Sequence, residues 1–162
     1  MLITPNNYDA VLFDMDGVLT MTMKIHATCW KRMFDAYLRD REERFNEPFQ
    51  PFEISTDYKA YVDGRLRYDG VQAFLLSRDI LLPYGQPDDD PVIESICGLG
   101  NRKDVMVNQL IDEEGVEILQ GSLQVVEMVR KEGLKTAVVS ASKNCEKILD
   151  AAAIKDHFDV MV

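Results

Sequence analysis

Val11-Leu12-Phe13-Asp14-Met15-Asp16-Gly17-Val18-Leu19-Thr20 decides how the rest of this 162-residue chain is read. The apolar run that begins at Tyr8 stops abruptly at two aspartates and a glycine. A short apolar run ending in polar loop residues predicts a buried strand with that loop at its carboxyl end. Leu134 to Val139 repeats the pattern and ends in Ser140-Ala141-Ser142-Lys143-Asn144, and Phe158 to Val162 is a third apolar run. Helical patterns separate these runs, from Leu123 to Lys131 (stopped by Gly133) and from Cys145 to Ala153. Strand, helix, strand, helix, strand predicts an α/β fold with a parallel sheet.

A long, mostly helical block interrupts the pattern after the first strand. Ile25, Cys29, Trp30, Met33, Phe34, Tyr37 and Leu38 recur at steps of three and four, which predicts an amphipathic helix from about Lys24 to Arg44. Trp30, Phe34 and Tyr37 at this spacing read as core. The prolines within Asn46 to Pro51 break the helix. Weaker helical patterns cover Ile54 to Val62 and Val71 to Ile80, with the polar, glycine-punctuated stretch Asp63 to Gly70 between them. Leu81 to Pro91 reads as a loop whose Asp88-Asp89-Asp90 triplet is solvated, and a further helix is expected from Arg102 to Glu113. The expected division is a core of residues 1–21 and 120–162 with an inserted helical block of residues 22–119.

Composition narrows the partners. A formal charge of −10 argues against nucleic acid, because most of the surface would repel a polyanion. It excludes little about a small anionic substrate. Cys29, Cys97 and Cys145 are far apart and form no CxxC pair, so reduced thiols are expected rather than a zinc site or disulfide scaffold. No run approaches a membrane span and no signal-peptide pattern opens the chain, so no membrane partner and a cytoplasmic setting are expected.

The first strand end carries chemistry. At the carboxyl ends of parallel strands, side chains face the crevice where α/β proteins bind ligands. Asp14 and Asp16, two apart, can share that pocket if the backbone turns, and Gly17 permits the turn and a close phosphate. One carboxylate can attack phosphorus while the other moves a proton. Two anions facing a phosphate call for a divalent cation, and Mg²⁺ suits carboxylates with phosphate and water. Taken alone, the tetrapeptide is also a common turn. The strand before it and the second strand ending at Ser140 favour the chemical reading.

Val11 to Thr20 resembles the first motif of the haloacid dehalogenase superfamily, and Thr136 to Asn144 resembles its second. The details are most similar to the β-phosphoglucomutase-like branch, whose Rossmann-like parallel sheet carries an inserted helical cap. The resemblance implies that Asp14 forms an aspartyl-phosphate and binds Mg²⁺. Asp16 would be the general acid/base and would bind the metal through its carbonyl. Ser140 and the Ala141 N–H would hold the phosphoryl group, with Lys143 near the substrate phosphate. The local physics agrees if a helix starts there, because a helix N-terminus presents N–H groups to an anion and Ser140 would cap it. Thr22 and His26 match positions that control Asp16 and the cap, although Met21 departs from the acidic residue common there. Gly64 and Arg67 resemble the cap loop that meets the substrate phosphate, with Arg65 competing for that role, and Lys103 resembles a cap lysine reaching into the cleft.

The expected activity is therefore a Mg²⁺-dependent phosphotransferase or phosphohydrolase acting on a phosphorylated sugar, a hydrolase or an isomerase according to whether water or the sugar takes the phosphoryl group. The family also uses a third-motif lysine and a fourth-motif acidic pair, which would follow the third strand; neither occurs before Val162. The expectation is thus a fragment, a truncated gene product or half of an assembly, with poor Mg²⁺ affinity and weak or absent catalysis by the chain alone, and with the Asp14 strand an exposed edge that a second chain would cover. The alternative is a catalytically incomplete member acting as a binding or interaction module. A receiver domain is the third reading, and the large insertion speaks against it.

Overall fold

Strands β1 (Ala10–Asp14), β2 (Lys135–Val139) and β3 (Val160–Met161) form a parallel sheet in that order, with β2 in the centre. The computed structural model describes residues 3–162, so residues 1 and 2 of the expected core segment lie outside it. Asp14 pairs with Val139, and Ala137 pairs with both Leu12 and Val160. Residues paired across parallel strands share a face, so alternation gives β1 and β2 one buried and one open face. Phe13 and Val138 lie on its buried face, while Leu12, Val139 and Val160 lie on a face that is largely open. Helix α4 (Gln120–Lys131) packs against β2 and buries Val126 and Val129. Gly133, at φ +83°, stops α4 before the chain enters β2. The third strand is shorter than its apolar run, because only Val160 and Met161 pair with β2.

The chain divides into two compact units, Met1–Lys24 with Leu110–Val162, and Ile25–Gln109. The second is narrower than residues 22–119, because both junctions fall inside continuous helices, α1 (Met23–Phe45) and α3 (Ile96–Glu114). Besides those helices, it contains a π-helical segment at Ile54–Val62 and α2 (Arg67–Leu76). Its core is aromatic. Phe34 stacks on Trp30 and Phe52, each at 5.3 Å between ring centroids, and meets Phe74 at 4.1 Å. The packing role read from the spacing of Trp30, Phe34 and Tyr37 is the observed one, since all three are buried.

Two helices begin earlier than the sequence pattern predicts. Helix α2 starts at Arg67, inside the stretch Asp63 to Gly70 that reads as a loop. Gly70 is helical and lies against the Trp30 ring, where an added Cβ would come within 3.4 Å. Helix α3 starts at Ile96 rather than Arg102, because Gly98 and Gly100 are helical and not breakers. A Cβ on Gly100 would come within 2.7 Å of the Tyr68 ring. In each case glycine answers to a close neighbour rather than to a turn.

The acidic triplet is loop, as read. Asp89 accepts the Ser95 hydroxyl at 2.6 Å and Asp90 accepts the Val92 N–H at 3.0 Å, and no metal-type cluster of His, Cys, Asp or Glu occurs among the described residues. The three cysteines are free. No described helix is long and apolar enough to cross a membrane.

Candidate active site

The loop after β1 is built around one buried side chain. Met15 is fully buried, and its carbonyl oxygen accepts the N–H groups of Leu19 and Thr20 at 2.9 and 3.0 Å. Gly17, at φ +78°, closes the turn and donates its N–H to the Thr20 carbonyl at 2.8 Å. With Met15 turned inward, the flanking aspartates face outward. Asp14 is exposed and Asp16 half-buried. The Met15 N–H donates to Asp14 Oδ1 at 2.8 Å, which fixes the direction of that carboxylate.

Thr22 donates its hydroxyl proton to Asp16 Oδ1 and lies 2.8 Å from the Thr20 hydroxyl. The loop is fastened from outside as well: Met21 N–H donates to the Glu117 carbonyl, and Leu119 N–H to the Leu19 carbonyl, both at 2.9 Å. Asp16 is therefore aimed by a threonine that is itself anchored.

The second strand end lies beside the first because of the register. Asp14 is opposite Val139, so Ser140 is the next residue along the adjacent strand. Ser140 donates its N–H to the Val162 carbonyl at 2.9 Å, and its Oγ accepts the Ser142 N–H at 3.1 Å. That use of the oxygen leaves the hydroxyl proton to donate outward. Ala141 and Lys143 are exposed in the same loop. The Cys145 thiol is pushed up first by burial and then by the charges of Asp16 and Glu146, so Asp16 lies within electrostatic reach of this segment.

One local expectation fails here. Helix α5 spans Cys145–Ala151, so Ser140 is not its N-cap and the Ala141 N–H is not part of a helix terminus. A five-residue loop intervenes, shaped by Ser140 and Ser142, whose hydroxyl oxygens each accept an N–H two residues on. Any anion contact at Ala141 belongs to that loop and owes nothing to a helix dipole.

The remaining candidates lie in the second unit. His26 and Lys103 are both buried, with Lys103 Nζ 2.8 Å from His26 Nδ1. An ammonium only donates, so Nδ1 accepts and the imidazole proton resides on Nε2. Burial, and then the Lys103 charge, push the His26 pKa down to about 3 against an opposing pull from Asp104, so the ring is neutral at physiological pH. Lys103 also sits 4.9 Å from the Trp30 ring centroid. Arg67 is mostly buried and paired with Asp104 at 2.5 Å. Gly64, at φ +65°, leaves open space where a Cβ would project, and Arg65 beside it is exposed. The sequence singled out Arg67 without its anchor. Asp104, immediately after Lys103, was missed because nothing local marks it as the partner of a residue on another helix.

The His26 shift has a consequence for stability. Native His26 stays neutral down to about pH 3, whereas the unfolded residue protonates near the ordinary histidine value of 6.5. The unfolded chain therefore binds the extra proton between those values, and the stability contributed by neutral His26 is lost as pH falls below about 6.5. Urea midpoints of the wild type and His26→Gln should diverge in slope between pH 7 and pH 5, the wild type losing more on acidification. Equal slopes would refute the buried neutral imidazole.

Against known proteins, residues 8–162 match the family model of haloacid dehalogenase-like hydrolases. The chain is 48% identical over 154 residues to a β-phosphoglucomutase of Mycobacterium bovis, covering 95% of this chain and 58% of that protein. It is 25% identical to a β-phosphoglucomutase of Bacillus subtilis, covering 94% of this chain and 59% of that protein. In fold it is similar to the crystal structure of a β-phosphoglucomutase from Clostridium difficile, with a TM-score of 0.73 at 21% identity, over 94% of this chain and 60% of the other. The chain thus spans less than two thirds of the length of these relatives.

Proposed function

This chain belongs to the haloacid dehalogenase-like hydrolase family, and on that premise we propose that it serves a Mg²⁺-dependent phosphotransfer on a phosphorylated sugar through an aspartyl-phosphate at Asp14. The observation that carries this reading is the strand register, which sets Asp14 and Ser140 side by side at the carboxyl ends of β1 and β2. In the proposed sequence a carboxylate oxygen of Asp14 bonds to phosphorus as the substrate oxygen leaves with a proton from Asp16. The acceptor hydroxyl then attacks the phosphoryl group while Asp16 takes its proton. The Ser140 hydroxyl donates to a phosphoryl oxygen, with Ala141 and Lys143 beside it in the same loop.

The donor set suits Mg²⁺. Asp14 and Asp16 offer hard oxygens, and this cation commonly takes one or two carboxylates and completes its shell with phosphate and water. When bound, it would offset the repulsion between Asp14 and the incoming phosphate. Thr22 holds Asp16 in place. In the second unit, Gly64 and Arg67 are assigned to the substrate phosphate, Lys103 to the substrate and His26 to control of the cap, and Asp104 keeps Arg67 oriented.

Similarity to β-phosphoglucomutases favours transfer to a sugar hydroxyl over transfer to water. Incubation with α- and β-glucose 1-phosphate and Mg²⁺, following glucose 6-phosphate against free phosphate, separates the two. Glucose 6-phosphate is the expected product. Release of phosphate alone would convert the reading to a phosphatase, and turnover of no phosphorylated sugar would overturn it.

A further inference from the structure

Thr20 is fully buried, was assigned no role from the sequence, and touches Thr22, which aims Asp16. Its hydroxyl lies 2.8 Å from Thr22 Oγ1 and 3.3 Å from the Met15 carbonyl oxygen. Each hydroxyl has one proton to give, so the chain of contacts has a definite direction that donor counting can assign. The Met15 carbonyl has two lone pairs and is already approached by three backbone N–H groups, those of Val18, Leu19 and Thr20, at 3.3, 2.9 and 3.0 Å. The Thr20 proton therefore goes to the nearer partner, Thr22. Thr22, with its oxygen accepting from Thr20, turns its own proton to Asp16 Oδ1. With Asp16 ionised, the form in which it takes the acceptor's proton, the reverse polarity would set the lone pairs of Thr22 against the carboxylate with no proton between them. Thr22 is only 1% exposed, so water does not relieve that repulsion.

We infer that Thr20 is a positioning residue for the candidate acid/base: by donating to Thr22 it commits the Thr22 hydroxyl to Asp16 and holds that carboxylate in one rotamer. Thr20 is itself rigid, because it bridges Asp16 on one side and Ile118 on the other. A donor that also accepts is polarised and binds its own acceptor more strongly, so removing the Thr20 hydroxyl weakens the Thr22 contact at Asp16 while leaving the backbone bridge between Thr20 and Asp16 in place. The inference deepens the reading above, since it is there that Asp16 acts as the acid/base.

The test compares Thr20→Val, which keeps the shape and removes the hydroxyl, with Thr20→Ser, which keeps the hydroxyl. Three-bond Hα–Hβ couplings report the Asp16 rotamer directly in this chain at a single pH. One rotamer is expected in the wild type and Thr20→Ser, and averaged couplings in Thr20→Val. In turnover of a phosphorylated sugar, Thr20→Val is expected to lower kcat by about tenfold with KM unchanged, and Thr20→Ser to restore it. A single unchanged Asp16 rotamer in folded Thr20→Val would overturn the inference, even if turnover still depended on Asp16. Averaged couplings in Thr20→Val, with turnover indifferent to Asp16→Asn, would uphold the relay and remove the acid/base reading instead.

Discussion

Asp14→Asn is expected to abolish phosphoryl transfer while leaving the fold intact. Asparagine has the shape of aspartate but lacks the anionic oxygen that bonds to phosphorus, so the covalent route closes. The loss should be at least about a thousandfold in kcat, equivalent to roughly 4 kcal/mol or more of barrier. The structure explains why stability should not follow. Asp14 is exposed, and the one contact described for its side chain, acceptance of the Met15 N–H, can pass to the amide oxygen of asparagine. Steady-state turnover of a phosphorylated sugar, paired with thermal melts of both proteins, checks both halves. Activity within tenfold of wild type in Asp14→Asn would end the nucleophile assignment.

The largest stability effect is expected in the helical unit, at Phe34→Ala. Phe34 is fully buried and touches three other rings, those of Trp30, Phe52 and Phe74. Truncating a core phenylalanine costs about 3–5 kcal/mol through lost burial and the cavity left behind. For a unit of this size that corresponds to a fall in Tm of roughly 12 °C or more. The single tryptophan, Trp30, belongs to the same cluster, so intrinsic fluorescence follows the unfolding of this unit. Leu81→Ala is the control: Leu81 is 81% exposed, and its truncation should cost less than about 0.5 kcal/mol. A Phe34→Ala midpoint close to that of Leu81→Ala would show that the cluster is not the core of the unit.

The features that local patterning could reach were legible. The apolar run before Asp14, the turn at Gly17 and the spacing from Ile25 to Leu38 are short-range signals, and they gave the parallel strands and the long helix. Glycine misled in the second unit, because Gly70, Gly98 and Gly100 look like punctuation from sequence alone. Their helical setting follows from Trp30, Tyr68 and the Ile93 backbone, all brought close only by packing. The same limit produced the misplaced cap at Ser140: a serine after a strand signals a helix start, but the loop to Cys145 is set by backbone turns the pattern does not encode.

By itself, the sequence determined which carboxylates end the first strand and which hydroxyl ends the second, because side-chain identity and the strand period are written along the chain. Tertiary structure alone decided that Asp14 lies opposite Val139 and so beside Ser140, that Asp104 holds Arg67, and that Thr20 stands behind Thr22. Register, ion pairing between helices and the direction of a hydroxyl chain depend on which groups compete for the same space. That competition exists only once the chain has folded.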